Sequence, residues 1–319
     1  MKTKIKDYIL NRNKYLIYNI SKILFKNKLQ PVNNILLTGS PRSGTTWLGS
    51  LIASCSGIMV AREPFAPSKK LYRNGFSERT YRNELDTWKT GQSVINSFLE
   101  GRSFIPTSFA DNQLLCCINP EQLILKCIRI NRLLPWVAQN IDVQNIIYIV
   151  RHPCAVVNSQ LAHKQFSPMR KVRNETIELI DQEVPYLKNY VLSLKNEEEL
   201  RTVEWCMDQI IPLKSNCSKW ITLSYEEIVL NGPNYLLKKL GKIKLDNNAI
   251  TSNFNRNSKA VGEWSVDHSR ASALERISSW QNGMEKSKIT SVLNVVKQFG
   301  IKGFSSSPVP DFTNIKLEN

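Results

Sequence analysis

Histidine is scarce in this 319-residue chain. Only His152, His163 and His268 occur, none of them before position 152. A histidine-built metal centre is disfavoured on that count alone, and no metal is expected. The seven cysteines (Cys55, Cys116, Cys117, Cys127, Cys154, Cys206 and Cys217) are odd in number and form no Cys-x-x-Cys pair. They match neither a zinc spacing nor a closed disulfide framework, and read as buried thiols of a reducing compartment. No apolar run is long enough to cross a bilayer or to serve as the core of a signal peptide, so the expectation is a cytoplasmic protein. Internal repeats and low-complexity tracts are also lacking. Acidic side chains are in deficit, with 27 Asp and Glu against 43 Lys and Arg, a formal net charge of +16. That imbalance favours anionic partners: nucleotides, acidic glycans, nucleic acid or a membrane surface. Solvated Lys faces account for such a charge equally well.

Core-forming material is ample. Hydrophobic residues make up 42% of the chain and the mean hydropathy is −0.29. The length suits one large α/β domain, and no linker stands out after residue 31. Residues 1–30 form a basic segment in which Lys2, Lys4, Lys6, Arg12, Lys14, Lys22, Lys26 and Lys28 face Asp7 alone. Ile5, Ile9, Leu16, Ile20 and Ile23 can share one helix face. The segment is either a helix lying on an anionic membrane or one packed on the domain with its basic face in water. Residues 31–319 are taken as a single domain.

Short, fully apolar runs alternate with helical segments. Strands are expected at 35–38, 58–61, 123–127, 145–150 and 220–223. Helices are expected at 45–54, 92–100, 132–139, 153–161, 175–195, 197–214, from 225 onward, 271–281 and 286–299. Residues 66–91 read as an irregular lid or acceptor loop. The pattern predicts a P-loop-like, three-layer α/β fold with a central parallel sheet flanked by helices.

Two stretches carry chemistry. In Ile35–Leu48 a strand runs into Gly39-Ser40-Pro41-Arg42-Ser43-Gly44 and then into a helix. This is the Gly-x4-Gly frame of a phosphate loop, but Thr45 stands where the Walker lysine belongs. In the second stretch, the apolar strand Asn145–Val150 is followed by Arg151-His152-Pro153-Cys154-Ala155-Val156-Val157-Asn158-Ser159. Pro153 suits a first helical turn. Arg151 falls at the carboxyl end of a strand, where ligands bind in open α/β sheets. A Walker B strand would end in Asp to hold magnesium; this one ends in Arg, so fixed positive charge takes the place of a metal.

Ser40–Leu48 and Arg151–Ser159 together resemble the 5′-phosphosulfate loop and the 3′-phosphate motif of sulfotransferases that use 3′-phosphoadenosine 5′-phosphosulfate (PAPS). The likeness runs from about residue 34 to 300. It includes Leu125-Lys126-Cys127-Ile128-Arg129, similar to the Leu-Lys-x-x-Arg strand of carbohydrate sulfotransferases. Leu223–Ile228 is similar to their Arg-Tyr-Glu-Asp-Leu element with Ser224 replacing the Arg, and 273–281 resembles their C-terminal Trp helix.

The resemblance implies a co-substrate, PAPS, with adenosine 3′,5′-bisphosphate as product and no tightly bound cofactor. It also implies a site. Arg42, Ser43, Gly44, Thr45, Thr46 and Trp47 would take the 5′-phosphosulfate side, and Arg151 and Ser159 the 3′-phosphate. Tyr225, Arg270 and Trp280 would make further nucleotide contacts. Trp47 suits a plain core position as well. Arg42 would neutralise charge on the leaving phosphate. Glu63, in Arg62-Glu63-Pro64-Phe65, matches the Glu-Pro whose Glu is the proposed general base, and Pro64 should hold it extended. Lys126 and Arg129 would line the same cleft or form a buried-strand salt bridge. His152, beside the 3′-phosphate motif, is read as structural or superficial. The expected acceptor is a carbohydrate or glycolipid hydroxyl, and no nucleic-acid partner is expected. Sulfation of a tyrosine or small alcohol is the alternative within the class. A degenerate P-loop kinase and a non-catalytic basic binding module are the alternatives outside it. Acceptor choice is expected to lie in 66–115 and 162–175.

Overall fold

Each apolar run becomes a strand; four are buried on both faces, as a parallel sheet covered by helices requires, while the edge strand Trp220–Ser224 is buried only at Leu223 and Ser224. The computed structural model describes residues 30–103, 121–215, 218–256 and 271–317. The basic segment 1–30 therefore lies outside the described residues, apart from Gln30. The strands are β1 (Ile35–Gly39), β2 (Ile58–Arg62), β3 (Gln122–Cys127), β4 (Asn145–Val150) and β5 (Trp220–Ser224). All neighbours are parallel, in the order β2-β3-β1-β4-β5. Leu36 sits opposite Leu125 of β3 and Ile146 of β4.

Successive side chains of a strand point to opposite faces, and the two cores follow that alternation. Leu36, Met59, Ala61, Leu125, Tyr148 and Val150 join one buried cluster. Its helices are α3 (Lys89–Leu99), α4 (Leu134–Asn140), α6 (Asn174–Glu183), α8 (Glu197–Lys214) and α12 (Lys286–Gln298). Ile35, Leu37, Val60, Ile124, Ile147 and Ile149 join the other. There they meet α1 (Thr45–Ile52), α9 (Tyr225–Lys239), α10 (Asn247–Asn253) and α11 (Ala273–Gly283). The result is the expected three-layer α/β fold. No helix among the described residues is long and apolar enough to cross a membrane.

Three local expectations fail for identifiable reasons. The helix expected over 175–195 is broken: α6 stops at Glu183, a 3₁₀ turn covers Pro185–Leu187, and α7 (Lys188–Ser193) follows. Pro185 cannot donate to the preceding turn and its ring crowds it. Helix α10 was not expected, because it buries a single residue, Ile250, and so shows no periodicity. It is nucleated locally, by the Asp246 carboxylate accepting from Asn248 N and Ala249 N. The stretch 66–91 is not simply an open loop. It contains the short helix α2 (Lys69–Arg73) and anchors itself through buried Leu71 and Phe76.

A buried ionic network ties the first face together. Arg132 precedes α4 and α5 (Pro153–Leu161) follows β4. The Arg132 guanidinium is only 1% exposed. It donates to Asp208 Oδ1 at 2.9 Å, Glu204 Oε2 at 2.8 Å and Thr176 Oγ1 at 2.8 Å. Arg173 also reaches Glu204, at 3.0 Å, and Arg79 approaches Asp208 at 3.8 Å. Burial disfavours the Glu204 carboxylate, yet Arg132, Arg173 and Arg79 together bring its pKa down to about 2. Removing one partner of such a network strands a buried charge. Asp208→Ala is therefore expected to cost about 3–5 kcal/mol of unfolding free energy in a urea titration. A loss below about 1 kcal/mol would show that water already screens Arg132.

Candidate active site

The ends of the strands place the site. The segments that follow β1, β2, β3, β4 and β5 supply Arg42, Glu63, Arg129, Arg151 and Tyr225, and all five side chains line one cleft of about 1170 Å³. Strand order reverses around β1, which is where open parallel sheets form their ligand crevice.

The phosphate loop leaves β1 at Gly39. A Cβ there would lie 2.5 Å from Ile149 O and 2.6 Å from Ser43 Oγ, so only glycine lets the loop fold back. Ser43 N donates to Ser40 O, and Gly44, at φ 97°, opens α1 with no side-chain cap. The first N–H groups of a helix have no intrahelical acceptor. Gly44, Thr45 and Thr46 thus present donors at the positive end of α1, whereas the Ser43 N–H, expected to join them, is spent inside the loop. Gln209 Nε2 donates to Ser40 Oγ at 2.7 Å and Gln160 Nε2 to Pro41 O at 3.1 Å, fixing the loop from below.

Arg42 connects the two motifs. Its Nε donates to Ser159 Oγ at 2.9 Å, and Arg151 Nη1 donates to Arg42 O at 3.0 Å. The groups expected on separate phosphates thus already touch. Burial, and then Arg151 beside it, pushes the Arg42 guanidinium below the ordinary Arg range. Two guanidinium groups held this close favour an anion between them. Arg151 also lies over the Tyr225 ring, 4.4 Å from its centroid. Trp47 is mainly a core residue: its indole N–H donates to Phe254 O and its ring packs edge-on against Tyr225 and Phe254.

Glu63 departs from expectation in its backbone. It has φ 50°, not the extended geometry that Pro64 was taken to impose. Its N–H continues the ladder to Lys126 O, and its carbonyl accepts from Ala66 N, closing a tight turn. Its carboxylate accepts from Lys126 Nζ at 2.5 Å, Arg129 Nη1 at 3.0 Å and Ile128 N at 3.3 Å. Three donors on the neighbouring strand end outweigh the local preference. Glu63 and Arg42 are the two described non-glycine residues at positive φ. Such strain, of order 1–3 kcal/mol each, gathers at functional sites.

His152 is the structural residue expected, though it is buried and not at the surface. Its ring stacks on Trp280 at 4.7 Å, its Nδ1 accepts from Cys154 N, and its Nε2 donates to Ser305 O at 2.9 Å. Arg270 lies outside the described residues. Among the cleft residues to which the sequence reading gave no role, two ionisable ones lie on the donor side. Arg276, 3% exposed, sits 5.7 Å from the Trp47 ring. The available signal was its place one turn before Trp280. His163 lines the cleft near Arg42, which, after burial, lowers its pKa. The described cysteines, Cys55, Cys127, Cys154 and Cys206, are buried and free.

No protein-family model matches the chain, and no curated protein does. Two solved structures are similar in outline. One is a sulfotransferase domain from the curacin biosynthetic pathway, 17% identical with a TM-score of 0.43, covering 83% of this chain and 96% of that one. The other is a sulfotransferase domain from the Synechococcus PCC 7002 olefin synthase, 16% identical with a TM-score of 0.41, covering 86% and 97%. Likenesses this remote assign no activity.

Burial pushes the His152 pKa from 6.5 to about 4, against the pull of its Ser305 hydrogen bond. The unfolded chain then binds a proton that the folded one refuses, so His152 removes stability as pH falls from 6.5 towards 4 and has no such effect above that window. The full loss is about 3 kcal/mol. In urea titrations, His152→Gln should flatten the decline over this range. An unchanged pH profile in the variant would mean that His152 titrates normally.

Proposed function

We propose that this chain transfers a sulfuryl group from PAPS to an acceptor hydroxyl, with a carbohydrate or glycolipid as the favoured acceptor. One observation carries the proposal. Of the ten buried side-chain nitrogens and oxygens without a hydrogen-bond partner among the described residues, five lie at the phosphate loop and the cleft beside it: Ser43 Oγ, Arg151 Nε, Arg276 Nε and Nη2, and Trp280 Nε1. Orphaned buried donors are rare and point to a ligand that completes them. A phosphorylated nucleotide with two separated anionic ends suits this set. It also explains why the loop has no Walker lysine, since PAPS has no γ phosphate. The paired motifs at Ser40–Leu48 and Arg151–Ser159 support the same reading.

The N–H groups of Gly44, Thr45 and Thr46 would hold the 5′-phosphosulfate at the N-terminus of α1. Arg151 and Ser159 would hold the 3′-phosphate. In the reaction the acceptor oxygen forms a bond to sulfur while the bond from sulfur to the phosphate oxygen breaks. The electron pair leaves on the 5′-phosphate of adenosine 3′,5′-bisphosphate, where Arg42 offsets the charge. The acceptor proton passes to a base in the cleft. Glu63 is the proposed base, fixed in orientation by Lys126 and Arg129. Because those two cations compete for its lone pairs, His163 is the second candidate. Its Nδ1 accepts from Gln165 N at 3.2 Å, so in the neutral ring that nitrogen holds the lone pair and takes the acceptor proton only once that hydrogen bond is released. Positioning and electrostatics supply most of the rate. A kinase reading has less support: Val150 and Arg151 occupy the place of the Walker B acid, and both cleft carboxylates, Glu63 and Glu78, are already ion-paired.

Adenosine 3′,5′-bisphosphate without metal should raise the melting temperature, and Arg151→Ala should weaken its binding by about 10–100-fold, the worth of a charge-assisted contact. Stabilisation by Mg-ATP alone is the result that reverses the assignment. Glu63→Gln should lower kcat by about 10²–10⁴-fold while leaving bisphosphate affinity intact. If His163→Gln does so instead, the proton goes to His163.

A further inference from the structure

We infer that the acceptor hydroxyl belongs to a molecule that already bears acidic groups: carboxylates, sulfates or phosphates near the position to be sulfated. The inference rests on the sulfuryl-transfer reading and deepens it. Eleven Lys and Arg side chains line the cleft against two Glu. Their partners sort them. Arg42, Arg151 and Arg276 surround the phosphate loop, on the donor side. Arg79, Arg173 and Arg201 are matched by Asp208, Glu204 and Glu197, and Lys126 and Arg129 share Glu63. The remaining three, Lys164, Arg170 and Lys171, are exposed and form no ion pair among the described residues.

All three belong to the connection between α5 and α6, which contributes residues 163–171 without a gap to the cleft wall. The connection is held in place. Glu197 accepts from Met169 N at 3.1 Å, Arg201 donates to Ser167 O at 3.0 Å, and the Arg201 guanidinium lies over the Phe166 ring. The backbone that carries its cations is therefore anchored, and Lys126 and Arg129, which share a single carboxylate, line the same cleft. Like charges crowded into one concave wall repel one another until an anion arrives, and they focus the field that draws it in. A neutral hydroxyl compound gains nothing from them once the donor is bound. Arg170 and Lys171 also rim a smaller cavity of about 450 Å³ whose apolar lining includes Ile177, Val191, Leu192 and Leu194. An acidic headgroup on a lipid could lay its tail there, whereas a free acidic saccharide would not touch it.

The test uses the full chain saturated with adenosine 3′,5′-bisphosphate and matched pairs of hydroxyl compounds. One pair is a glucuronic acid oligosaccharide and a glucose oligosaccharide of equal length. The other is vesicles carrying phosphatidylinositol and vesicles carrying a neutral galactosyl diacylglycerol, both of which present sugar-like hydroxyls. The acidic member of at least one pair should bind about tenfold more tightly, an advantage that disappears near 0.5 M salt. The triple variant Lys164→Ser, Arg170→Ser, Lys171→Ser should lose that advantage and keep its bisphosphate affinity. A vesicle preference that Leu192→Asp abolishes identifies the lipid-borne acid, whereas a saccharide preference with no vesicle preference in the unmodified chain identifies the free glycan. Equal binding of acidic and neutral members in both pairs, or a triple variant that keeps the preference, overturns the inference while leaving the donor site standing. Failure to bind the bisphosphate at all removes the sulfuryl-transfer reading, and this inference falls with it.

Discussion

The site depends on how closely the phosphate loop can turn back over the sheet at Gly39. With β1 and β4 paired directly, Ile149 O lies where a Gly39 Cβ would be, and Ser43 Oγ crowds the same point. Hydrogen is the one substituent that fits. Once the loop has folded down, Arg42 falls within reach of Ser159, and Arg151, at the end of β4, reaches back to the Arg42 carbonyl. The two motifs, more than a hundred residues apart, become a single group of donors because their strands are neighbours. Gly44 adds a second constraint of the same kind. Its positive φ starts α1, and a side chain there would run into the Tyr225 ring 2.7 Å away.

Electrostatics then divides the cleft into paired and unpaired charge. On the core side, Arg132, Glu204 and Asp208 are nearly sealed from water and satisfy one another. That network has little to do with binding directly. It holds Arg79 and Arg173 where the cleft wall needs them, and its cost of desolvation is met only because every member has a partner. On the loop side the arrangement is reversed. Arg42 and Arg151 repel each other, Arg276 has nitrogens with no partner, and the cations of 163–171 face open space. Stability sought for its own sake would not produce this pattern. Under the proposed function, the missing negative charge is that of the ligand.

Much of this was legible in the residues. Thr45 at the place of a Walker lysine, Arg42 within the loop, and Arg151 in place of a Walker B acid are read directly from position relative to an apolar run, since a buried strand's carboxyl end is a fixed address in a parallel sheet. The strand at 145–150 could be placed to the residue because nothing polar interrupts it. The backbone of Glu63 could not. The local rule for a residue before proline predicts extension, but Lys126, Arg129 and the N–H of Ile128, all at the end of another strand, hold the carboxylate while the Glu63 backbone takes a left-handed turn. Arg276 was equally hidden, because an arginine on an amphipathic helix ordinarily faces water.

By itself the amino-acid sequence determined the parallel α/β class, the phosphate loop, the second cationic motif and the absence of a triphosphate-gripping lysine. Each of these is a matter of local pattern, where side-chain period, glycine placement and residue type act within one element. Only the tertiary structure decided which charges neutralise one another and which remain for a ligand. That choice belongs to pairs such as Arg132 with Asp208 or Arg173 with Glu204. Coulomb attraction and desolvation both depend on distance and burial, and neither quantity exists until strands far apart in the chain lie side by side.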